Sequence, residues 1–560
     1  MPAADSLLQR AAPGAGAVLL EILVEPAFPH NRKHMAPDII RLQINWRKGQ
    51  EPALYLLQQV DRGGHHPGMS ELPRLSLPAL KLLPAQIPQP RYDVAALETG
   101  IVHLGIGAFH RAHQAVFTDD VLQAGDRRWG ILGASLRSPG TRDALAPQDF
   151  LYTLSERGAA GERLRVIGAL RQVLVAPENP AALIEAMAHP AVKIVSLTVT
   201  EKGYCHDPAR AELNEDHPDI RHDLAHPGQP RSAPGFLAAA LYERKARGLP
   251  PFTVLCCDNL PANGRTARTV VSRLAALRDA AFGRFVEGHV AFPSTMVDRI
   301  VPATTDADRA RIAAASGLHD AWPVVTEAFR DWVIEDHFPH GRPAWAATFV
   351  ADVAPFELMK LRLLNGAHSS LAYLGCLAGY ETVAEAMADP ALAHFVARLM
   401  HDEVKPTLQA GRDLDAYIAS LLERFRNPLL RHSTAQIAMD GSQKLPQRLL
   451  GTIRDRLKKG APIACLCLGV AAWMRYVTGI GETGAAIEVR DPLRDELRRR
   501  ADAAGFDAGR LASALLGVEA VFGRDLPAEP RFAAAVTAAL DQLLRLGAQQ
   551  ALERFRSESP

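Results

Sequence analysis

From Gly100 onward, short apolar runs alternate with amphipathic stretches along the chain. Residues 101–104 predict a strand, residues 105–107 a turn, residues 111–123 a helix and residues 129–134 a second strand. Short apolar runs bounded by turn signals are typical of buried strands, whereas a period of about 3.6 residues is typical of helices. This order predicts a βαβ unit.

The same alternation continues beyond this unit. Residues 192–197 and 252–257 are further apolar runs, with helical patterns between them. Strands separated by helices are what a mostly parallel sheet with helices on its faces requires. We therefore expect an α/β domain over residues 96–354.

The pattern changes after about Pro355. The strand signals fade, and helical periods rich in Ala, Leu and Arg dominate, as in residues 494–503 and 531–546. Amphipathic periods of this kind are typical of helices that bury one face. A mainly α-helical domain is expected over residues 355–560.

Residues 1–95 differ from both parts. Prolines and glycines recur there, and no helical or strand period persists beyond a turn or two. We expect poor order over residues 1–95. Because Met69 directly follows the Gly- and His-rich stretch, residues 1–68 can also be sequence from a mistaken start codon and not part of the native protein.

The composition narrows the class of partner. The 560 residues include 63 Lys and Arg against 62 Asp and Glu, a net charge of +1, so no overall field attracts nucleic acid or an acidic membrane. The longest apolar run, residues 463–474, is shorter than the roughly 20 residues of a membrane span.

The six cysteines form no CxxC pair, which favours a reducing cytoplasm. We expect a cytoplasmic protein with a small-molecule partner.

Gly105-Ile106-Gly107 lies between a predicted strand and a predicted helix. Such a turn lets a pyrophosphate approach the amides at the start of the helix. His110 stands where the third glycine of the dinucleotide pattern would be, so a plain structural turn remains an alternative.

The acid expected after the second strand, which would bind ribose hydroxyls, is missing. Arg137 and Arg142 lie in that loop and can either meet a 2′-phosphate or remain in solvent. The choice between NAD and NADP therefore stays open.

Lys360 is the only lysine between Lys245 and Lys405 in a chain that otherwise prefers arginine. A buried lysine can have its pKa lowered until it works as an acid or base, which arginine cannot. In a helix of about 100° per residue, Asn365 falls about 140° from Lys360 and His368 about 80°, so all three can share a broad face.

Asn259 follows a predicted strand at the edge where open α/β sheets bind ligands. Together with Asn365 it can donate to a substrate oxygen and stabilise an alkoxide, although an Asx-turn is its structural alternative. Neither His110 with His113 nor the stretch 336–340 forms a recognised zinc pattern, so no metal site is predicted.

Four segments together resemble a known family. They are residues 105–114 (GIGAFHRAHQ), 198–204 (TVTEKGY), 292–300 (FPSTMVDRI) and the stretch that holds Lys360. The chain resembles the polyol-specific long-chain dehydrogenases, the mannitol dehydrogenase family, from about residue 100 to about residue 550. Residues 201–205 and 436–448 are most similar to the members that act on sugar acids, and Gln436 stands where mannitol dehydrogenases tend to carry arginine.

The resemblance implies a metal-independent, often monomeric enzyme with a Rossmann-type N-terminal domain, a helical C-terminal domain and the active site between them. It implies hydride transfer between NAD, with NADP not excluded, and an open-chain sugar acid, or a neutral polyol as the alternative. A dinucleotide-binding sensor without turnover is a remote alternative.

The resemblance also implies roles for individual residues. Lys360 would be the general acid/base, Asn259 and Asn365 would hold the reacting oxygen, His368 would orient the substrate, and Glu201 and Glu357 would move protons. The coenzyme would contact Gly105, Ile106, Gly107, Ala108, Phe109, Arg137, Val297 and Asp298.

Lys444 matches a basic position of the family near the substrate. A sugar acid carries a carboxylate, which Lys444 can neutralise with Arg448 nearby. The alternative for Lys444 is a cap on a helix end.

Overall fold

A computed structural model of the chain describes residues 72–158, 161–207, 212–409 and 411–558. The strands, in chain order, are β1 Thr99–Leu104, β2 Gly130–Ser135, β3 Tyr152–Gly158, β4 Gly161–Ile167, β5 Leu170–Val175, β6 Ile194–Leu197, β7 His206–Asp207, β8 Glu212–Leu213, β9 Thr253–Cys256, β10 Thr295–Asp298, β11 Val324–Glu327, β12 Asp331–Glu335 and β13 Thr348–Val350.

The central sheet contains five parallel strands in the order β5-β2-β1-β6-β9. Ile101 of β1 pairs with Ile131 on one side and with Ile194 on the other. The chain adds β2 and β5 on one side of β1, and then β6 and β9 on the other side. Because the strand order reverses at this point, a crevice opens beyond the carboxyl ends of β1 and β6. This topology confirms the predicted Rossmann-type α/β domain.

Smaller sheets that the sequence patterns did not predict flank the central one. β12 pairs with β10 in antiparallel and with β13 in parallel orientation, and β3 pairs with β11 and β4. β7 and β8 form a two-residue ladder. The first of these sheets matters for the site, because β10 carries Val297 and Asp298.

The helices surround the sheet and then form the C-terminal part. The α-helices up to residue 316 are Ala108–Ala112, Gln114–Gln123, Gly140–Leu145, Pro180–Ala188, Pro218–Ala225, Ala233–Ala246, Asn263–Arg278, Ala280–His289 and Asp306–Ser316. Those that follow are Ala354–Met359, Ala367–Ala378, Val383–Ala388, Pro390–Arg398, Leu414–Phe425, Thr434–Ala438, Gly441–Leu445, Gly451–Lys458, Ala464–Tyr476, Arg494–Ala504, Ala508–Leu516, Glu519–Phe522 and Pro530–Ser557.

Two other helix types are present. Short 3₁₀ turns occur at Leu77–Leu82, Arg127–Trp129, Ala146–Gln148, Glu201–Tyr204 and Lys405–Thr407. Wider π-helical segments occur at Lys360–Gly366, Leu399–Val404 and Pro446–Leu450. The predicted helix over residues 111–123 is broken at His113, whose φ of −118° and ψ of −91° are not helical.

The hydrophobic cores follow the change in pattern near residue 355. One core draws its buried side chains from residues 359–552, whereas two cores beside the sheets draw theirs from residues 75–345. Residues Pro73–Pro560 nevertheless form one compact unit.

The expectation of poor order over residues 1–95 is wrong for its last part. Leu75, Ile87 and Tyr92 are buried in the same core as β1, and the Tyr92 hydroxyl donates to buried Asp119. This segment is held by isolated apolar side chains and carries no repeating pattern that a sequence analysis can detect. Residues 1–68 lie outside the described residues.

Two observations concern membrane-spanning helices and disulfides. In the part that the structure describes, no helix is both long and apolar enough to cross a bilayer. All six cysteines are free thiols, and all but Cys376 are buried.

Candidate active site

Two cavities open beside the carboxyl edge of the central sheet. The first, here called the switch-point cavity, has a volume of about 1080 Å³ and is lined by Gly105, Gly107, Arg137 and Thr198 among others. The second, the lysine cavity, has a volume of about 880 Å³. Of the predicted residues it collects Glu201, Asn259, Val297, Glu357, Lys360, Asn365, Lys444 and Arg448.

The turn after β1 forms the floor of the switch-point cavity. Gly105 has φ of +94°, and a Cβ there would lie 2.1 Å from the carbonyl oxygen of Thr198, so only glycine fits. At exposed Gly107 a Cβ would meet nothing closer than 3.9 Å, which leaves the floor open. The first amides of the helix Ala108–Ala112 have no partner within that helix. These features fit the pyrophosphate of a dinucleotide.

Of the other coenzyme contacts predicted near this turn, only some line the switch-point cavity. Ile106 and exposed Arg137 line the switch-point cavity, whereas Ala108 and Phe109 do not. The ring of Phe109 instead stacks on His113 at 5.1 Å between centroids. Ser135, Leu136 and Arg137 follow β2, so the loop presents a cation where an acid is usual in NAD-specific sites.

Lys360 lies at the centre of the lysine cavity. Its Nζ donates to the side-chain oxygen of Asn259 at 2.9 Å and to the carbonyl oxygen of Val297 at 2.6 Å. Only 9% of Lys360 is exposed, and burial lowers its pKa below the ordinary lysine value. An ammonium has three N–H groups, so the third is left for a ligand oxygen.

The backbone around Lys360 brings Asn365 close to it. The segment Lys360–Gly366 is π-helical, a pattern in which hydrogen bonds join residues five apart. Residue 365 therefore lies over residue 360, closer than the about 140° of an α-helix suggests. Asn365 lines the cavity, and its side-chain amide makes no hydrogen bond to the described residues.

Asn259 reaches the cavity from the end of β9. Its predecessor Asp258 fixes this edge, because its carboxylate accepts the backbone amides of Val199 and Thr200 at 3.0 and 2.9 Å. Since the oxygen of the exposed Asn259 amide accepts from Lys360, its nitrogen is left to donate into the cavity. Two amides and one ammonium thus converge where an oxyanion can be held.

Asp298 was expected to contact the coenzyme, but it lines neither cavity. It is buried and forms two hydrogen bonds with Arg424, at 2.9 and 3.0 Å, and Arg424 also binds Glu327. Burial favours the neutral form of Asp298, but Arg424 outweighs it, so the pKa of Asp298 lies below its ordinary value. As an anion, Asp298 opposes the loss of the Lys360 proton.

Two glutamates line the lysine cavity together with Lys360. Glu357 lies three residues before Lys360 and accepts the amide of Ala262 at 3.3 Å, while burial raises its pKa to about 7. Glu201 is exposed on a 3₁₀ turn that follows Thr200, a residue with φ of +66°. Both line the cavity, and Glu357 can exchange a proton near neutral pH.

Lys444 and Arg448 supply positive charge to the lysine cavity. The Lys444 ammonium donates to the carbonyl oxygens of Ile437, at 3.3 Å, and Met439, so it does cap a helix end while it lines the cavity. Arg448 donates to Ser369 Oγ at 3.1 Å. Within the described ranges neither cation forms an ion pair with a carboxylate.

His368 lies behind the cavity wall. Its buried ring stacks on Phe425 with 4.2 Å between centroids, and burial holds its pKa well below the ordinary value. It does not line the lysine cavity, so the structure does not place it with Lys360 and Asn365 on one open face. The wider π-helical turn shifts the positions that follow it.

Two groups at or near the site have no signal in the local sequence. Arg424 holds Asp298 across 126 residues, a distance in sequence that no local pattern reveals. Cys205, His217 and Asp219 have ligand atoms within 4.8 Å of one another at the switch-point cavity. In this group His217 already accepts the Asp219 amide at 3.2 Å, as the cap of the helix Pro218–Ala225.

Comparisons with known proteins agree with this architecture. The sequence matches the mannitol dehydrogenase Rossmann domain over residues 99–347 and the mannitol dehydrogenase C-terminal domain over residues 352–544. D-mannonate oxidoreductase of Escherichia coli (strain K12) is 48% identical over 475 residues, which are 83% of this chain and 97% of that protein. A mannitol 2-dehydrogenase of Aspergillus fumigatus is 43% identical, covering 82% and 93%.

A solved structure is similar over most of the chain. It is the ternary complex of Pseudomonas fluorescens mannitol 2-dehydrogenase with NAD and D-mannitol, with a TM-score of 0.77 and 40% identity. The match covers 87% of this chain and 100% of that one.

Proposed function

The chain belongs to the mannitol dehydrogenase family, and we propose that it is a metal-independent, NAD-dependent oxidoreductase that interconverts D-fructuronate and D-mannonate. It is an oxidoreductase acting on CH–OH groups, as its relatives are. The sugar acid as substrate, and with it a role in hexuronate breakdown in the cytoplasm, is our proposal.

The observation that carries the substrate is the charge of the lysine cavity. Lys444 and Arg448 face a volume of about 880 Å³ without a carboxylate partner in the described part of the chain. Both cations are partly buried, and a substrate carboxylate would supply the ion-pair partner that they lack. Burial lowers the pKa of Lys444, and the carboxylates of Asp440 and Asp491 act against that shift without forming an ion pair with it.

The coenzyme fits the switch-point cavity, and when bound it supplies or accepts the hydride. The Gly105 turn would hold its pyrophosphate. NAD is bound by the related Pseudomonas fluorescens structure, and exposed Arg137 leaves NADP as a second coenzyme to be tested.

Lys360 is suited to move the proton that accompanies reduction of a ketone. As an ammonium it keeps two N–H groups on Asn259 and Val297 and gives the third proton to the developing alkoxide. The neutral amine retains both hydrogen bonds, so proton release does not disrupt the protein contacts. Burial lowers the pKa of Lys360 and so makes this release easier than from an exposed lysine.

Asn259 and Asn365 hold the same oxygen by donating amide hydrogens. Glu357, one helical turn before Lys360, then exchanges the proton between the lysine and solvent. We also propose that the protein acts as a monomer on a free small molecule, without nucleic acid or a membrane.

A neutral polyol is the second candidate, favoured by the similarity to mannitol 2-dehydrogenases at 40% and 43% identity. Initial rates of NADH and NADPH oxidation with D-fructuronate and with D-fructose, in the presence of a chelator, separate the two. Rapid turnover of D-fructuronate alone supports the proposal. A preference for D-fructose would move the assignment to a polyol dehydrogenase.

A further inference from the structure

Beneath the switch-point cavity lies a group of buried polar side chains that the mechanism above does not use. His103 on β1 is fully buried, and its imidazole lies between the hydroxyl of Ser196 on β6 and that of Thr198, the residue after β6. Its Nδ1 is 2.8 Å from Ser196 Oγ, and its Nε2 is 2.8 Å from Thr198 Oγ1. A charged imidazole is disfavoured by burial, which lowers the pKa of His103 to about 3, so the ring carries one proton.

The carbonyl oxygen of Gly105 determines which nitrogen carries that proton. This oxygen only accepts, and it lies 2.7 Å from Thr198 Oγ1 and 3.2 Å from His103 Nε2. A bare Nε2 would face the carbonyl lone pairs and would compete with Gly105 for the single Thr198 proton. With the proton on Nε2, His103 donates to Thr198, and Thr198 donates to Gly105, so every group is satisfied.

The other end of the ring then fixes the orientation of Gln114. A bare Nδ1 takes the proton of Ser196, so Ser196 Oγ, which lies 2.8 Å from Gln114 Oε1, cannot also donate to that oxygen and becomes an acceptor. The amide must therefore turn its nitrogen toward Ser196, an orientation that follows from its partners. Placed the other way, the nitrogen has no partner among the described residues.

In this orientation the Gln114 amide oxygen also becomes available to His110. Both ring nitrogens of this buried histidine lack a partner among the described residues, and its ring stacks on His103 at 3.5 Å. Burial holds the pKa of His110 well below its ordinary value, and the Gln114 side chain acts against that shift. The amide oxygen of Gln114 can therefore accept from His110.

We infer that His103, as the neutral Nε2–H tautomer, is a positioning residue for the coenzyme. A single directed chain of hydrogen bonds runs from Gln114 through Ser196, His103 and Thr198 to the carbonyl of Gly105. It ties the helix Gln114–Gln123 and strand β6 to the turn that is to hold the pyrophosphate. The inference rests on the proposed use of a dinucleotide, but not on the identity of the sugar.

Two variants of the full chain test it. In His103→Gln the terminal amide reaches the position of Nε2 and can still donate to Thr198, whereas in His103→Asn the amide reaches only the position of Nδ1. We expect H103Q to bind NADH within about threefold of the wild type and H103N to bind it about tenfold more weakly, since a buried acceptor has lost its donor. At saturating NADH, kcat should change little in either variant.

Binding is measured by fluorescence titration with NADH alone, and thermal unfolding of both variants checks that they fold alike. Equal NADH affinity of H103N and H103Q, or a loss confined to kcat, would overturn the inference. Wild-type protein that binds NADH but reduces no sugar acid would contradict the proposed substrate and leave this comparison intact. Wild-type protein that does not bind NADH would overturn both.

Discussion

Lys360 and Asn259 are 101 residues apart in the chain, yet the Lys360 ammonium donates to the Asn259 side-chain oxygen at 2.9 Å. The contact joins the carboxyl edge of the Rossmann-type sheet to the first helices of the C-terminal part. In the proposed mechanism it places the acid/base and an oxyanion donor against one substrate oxygen.

Arginine should not replace Lys360. Lys360→Arg keeps the positive charge, but a guanidinium does not release its proton near neutral pH. We expect kcat with D-fructuronate to fall at least about 100-fold, the range that general acid–base catalysis contributes. The Kd for NADH, measured without sugar, should stay within about twofold, since Lys360 does not line the switch-point cavity. Near-normal turnover of K360R would refute the titrating role.

Glu357 should govern the pH dependence of stability near the site. Its pKa in the folded chain, about 7, lies above the ordinary glutamate value, so the folded state binds a proton more tightly than the unfolded state. Stability due to this group is complete below about pH 4 and is lost as the pH rises through about 7. Chemical denaturation at pH 5 and pH 8 should show a smaller loss in Glu357→Gln than in the wild type.

The same variant tests the proton path. We expect the pH profile of kcat to lose its inflection near pH 7 in E357Q, because an amide cannot titrate. Glu385→Gln, in a capping box outside the cavity, is the control and should keep the wild-type profile. An unchanged inflection in E357Q would assign the titration to another group.

Lys444 should discriminate between a sugar acid and a neutral sugar. Lys444→Met removes the charge but keeps much of the side-chain volume. We expect KM for D-fructuronate to rise about 10- to 100-fold, because a charge-assisted hydrogen bond contributes about 1.5–3 kcal/mol. With D-fructose the change should be several times smaller. Equal losses on both sugars would show that Lys444 acts only as a helix cap.

Gly366 should be sensitive to a single methyl group. It ends the π-helical segment of Lys360, and a Cβ at this position would lie 2.9 Å from the carbonyl oxygen of Arg448. Gly366→Ala must push the two cavity walls apart, so we expect lower stability, by about 1–3 kcal/mol, and a raised KM. Thermal unfolding and steady-state kinetics measure both effects.

Gly451 provides the matched control for that substitution. It is also helical, but a Cβ there would have no contact closer than 3.8 Å. Gly451→Ala should be neutral or stabilising by up to about 1 kcal/mol, with unchanged kinetics. Equal effects of G366A and G451A would contradict the close packing assigned to Gly366.

Local periodicity was sufficient for four of the five strands of the central sheet and missed β5. The strands β1, β2, β6 and β9 lie within two residues of the predicted ranges, because each is a continuous apolar run buried on both faces. The two-residue strands β7 and β8 have no comparable run and depend on tertiary pairing.

The site was predictable only in part. Lys360 was found as an isolated lysine and lies in the cavity with Asn259 and Asn365. Periodicity does not distinguish an α-helix from a π-helical turn, so the closeness of Asn365 and the buried position of His368 were missed. The ion pair of Asp298 with Arg424 joins distant segments and required the fold.

Chemical rescue of Lys360→Ala tests the central claim, that an amine at this position transfers the proton during D-fructuronate reduction. The rate of NADH oxidation by K360A is measured with and without added ethylamine, at saturating coenzyme. The account predicts a rate at least about 100-fold below wild type, which rises with amine concentration and falls at pH values where the amine is neutral. A K360A rate near that of the wild type, or a low rate that no primary amine increases, would contradict it.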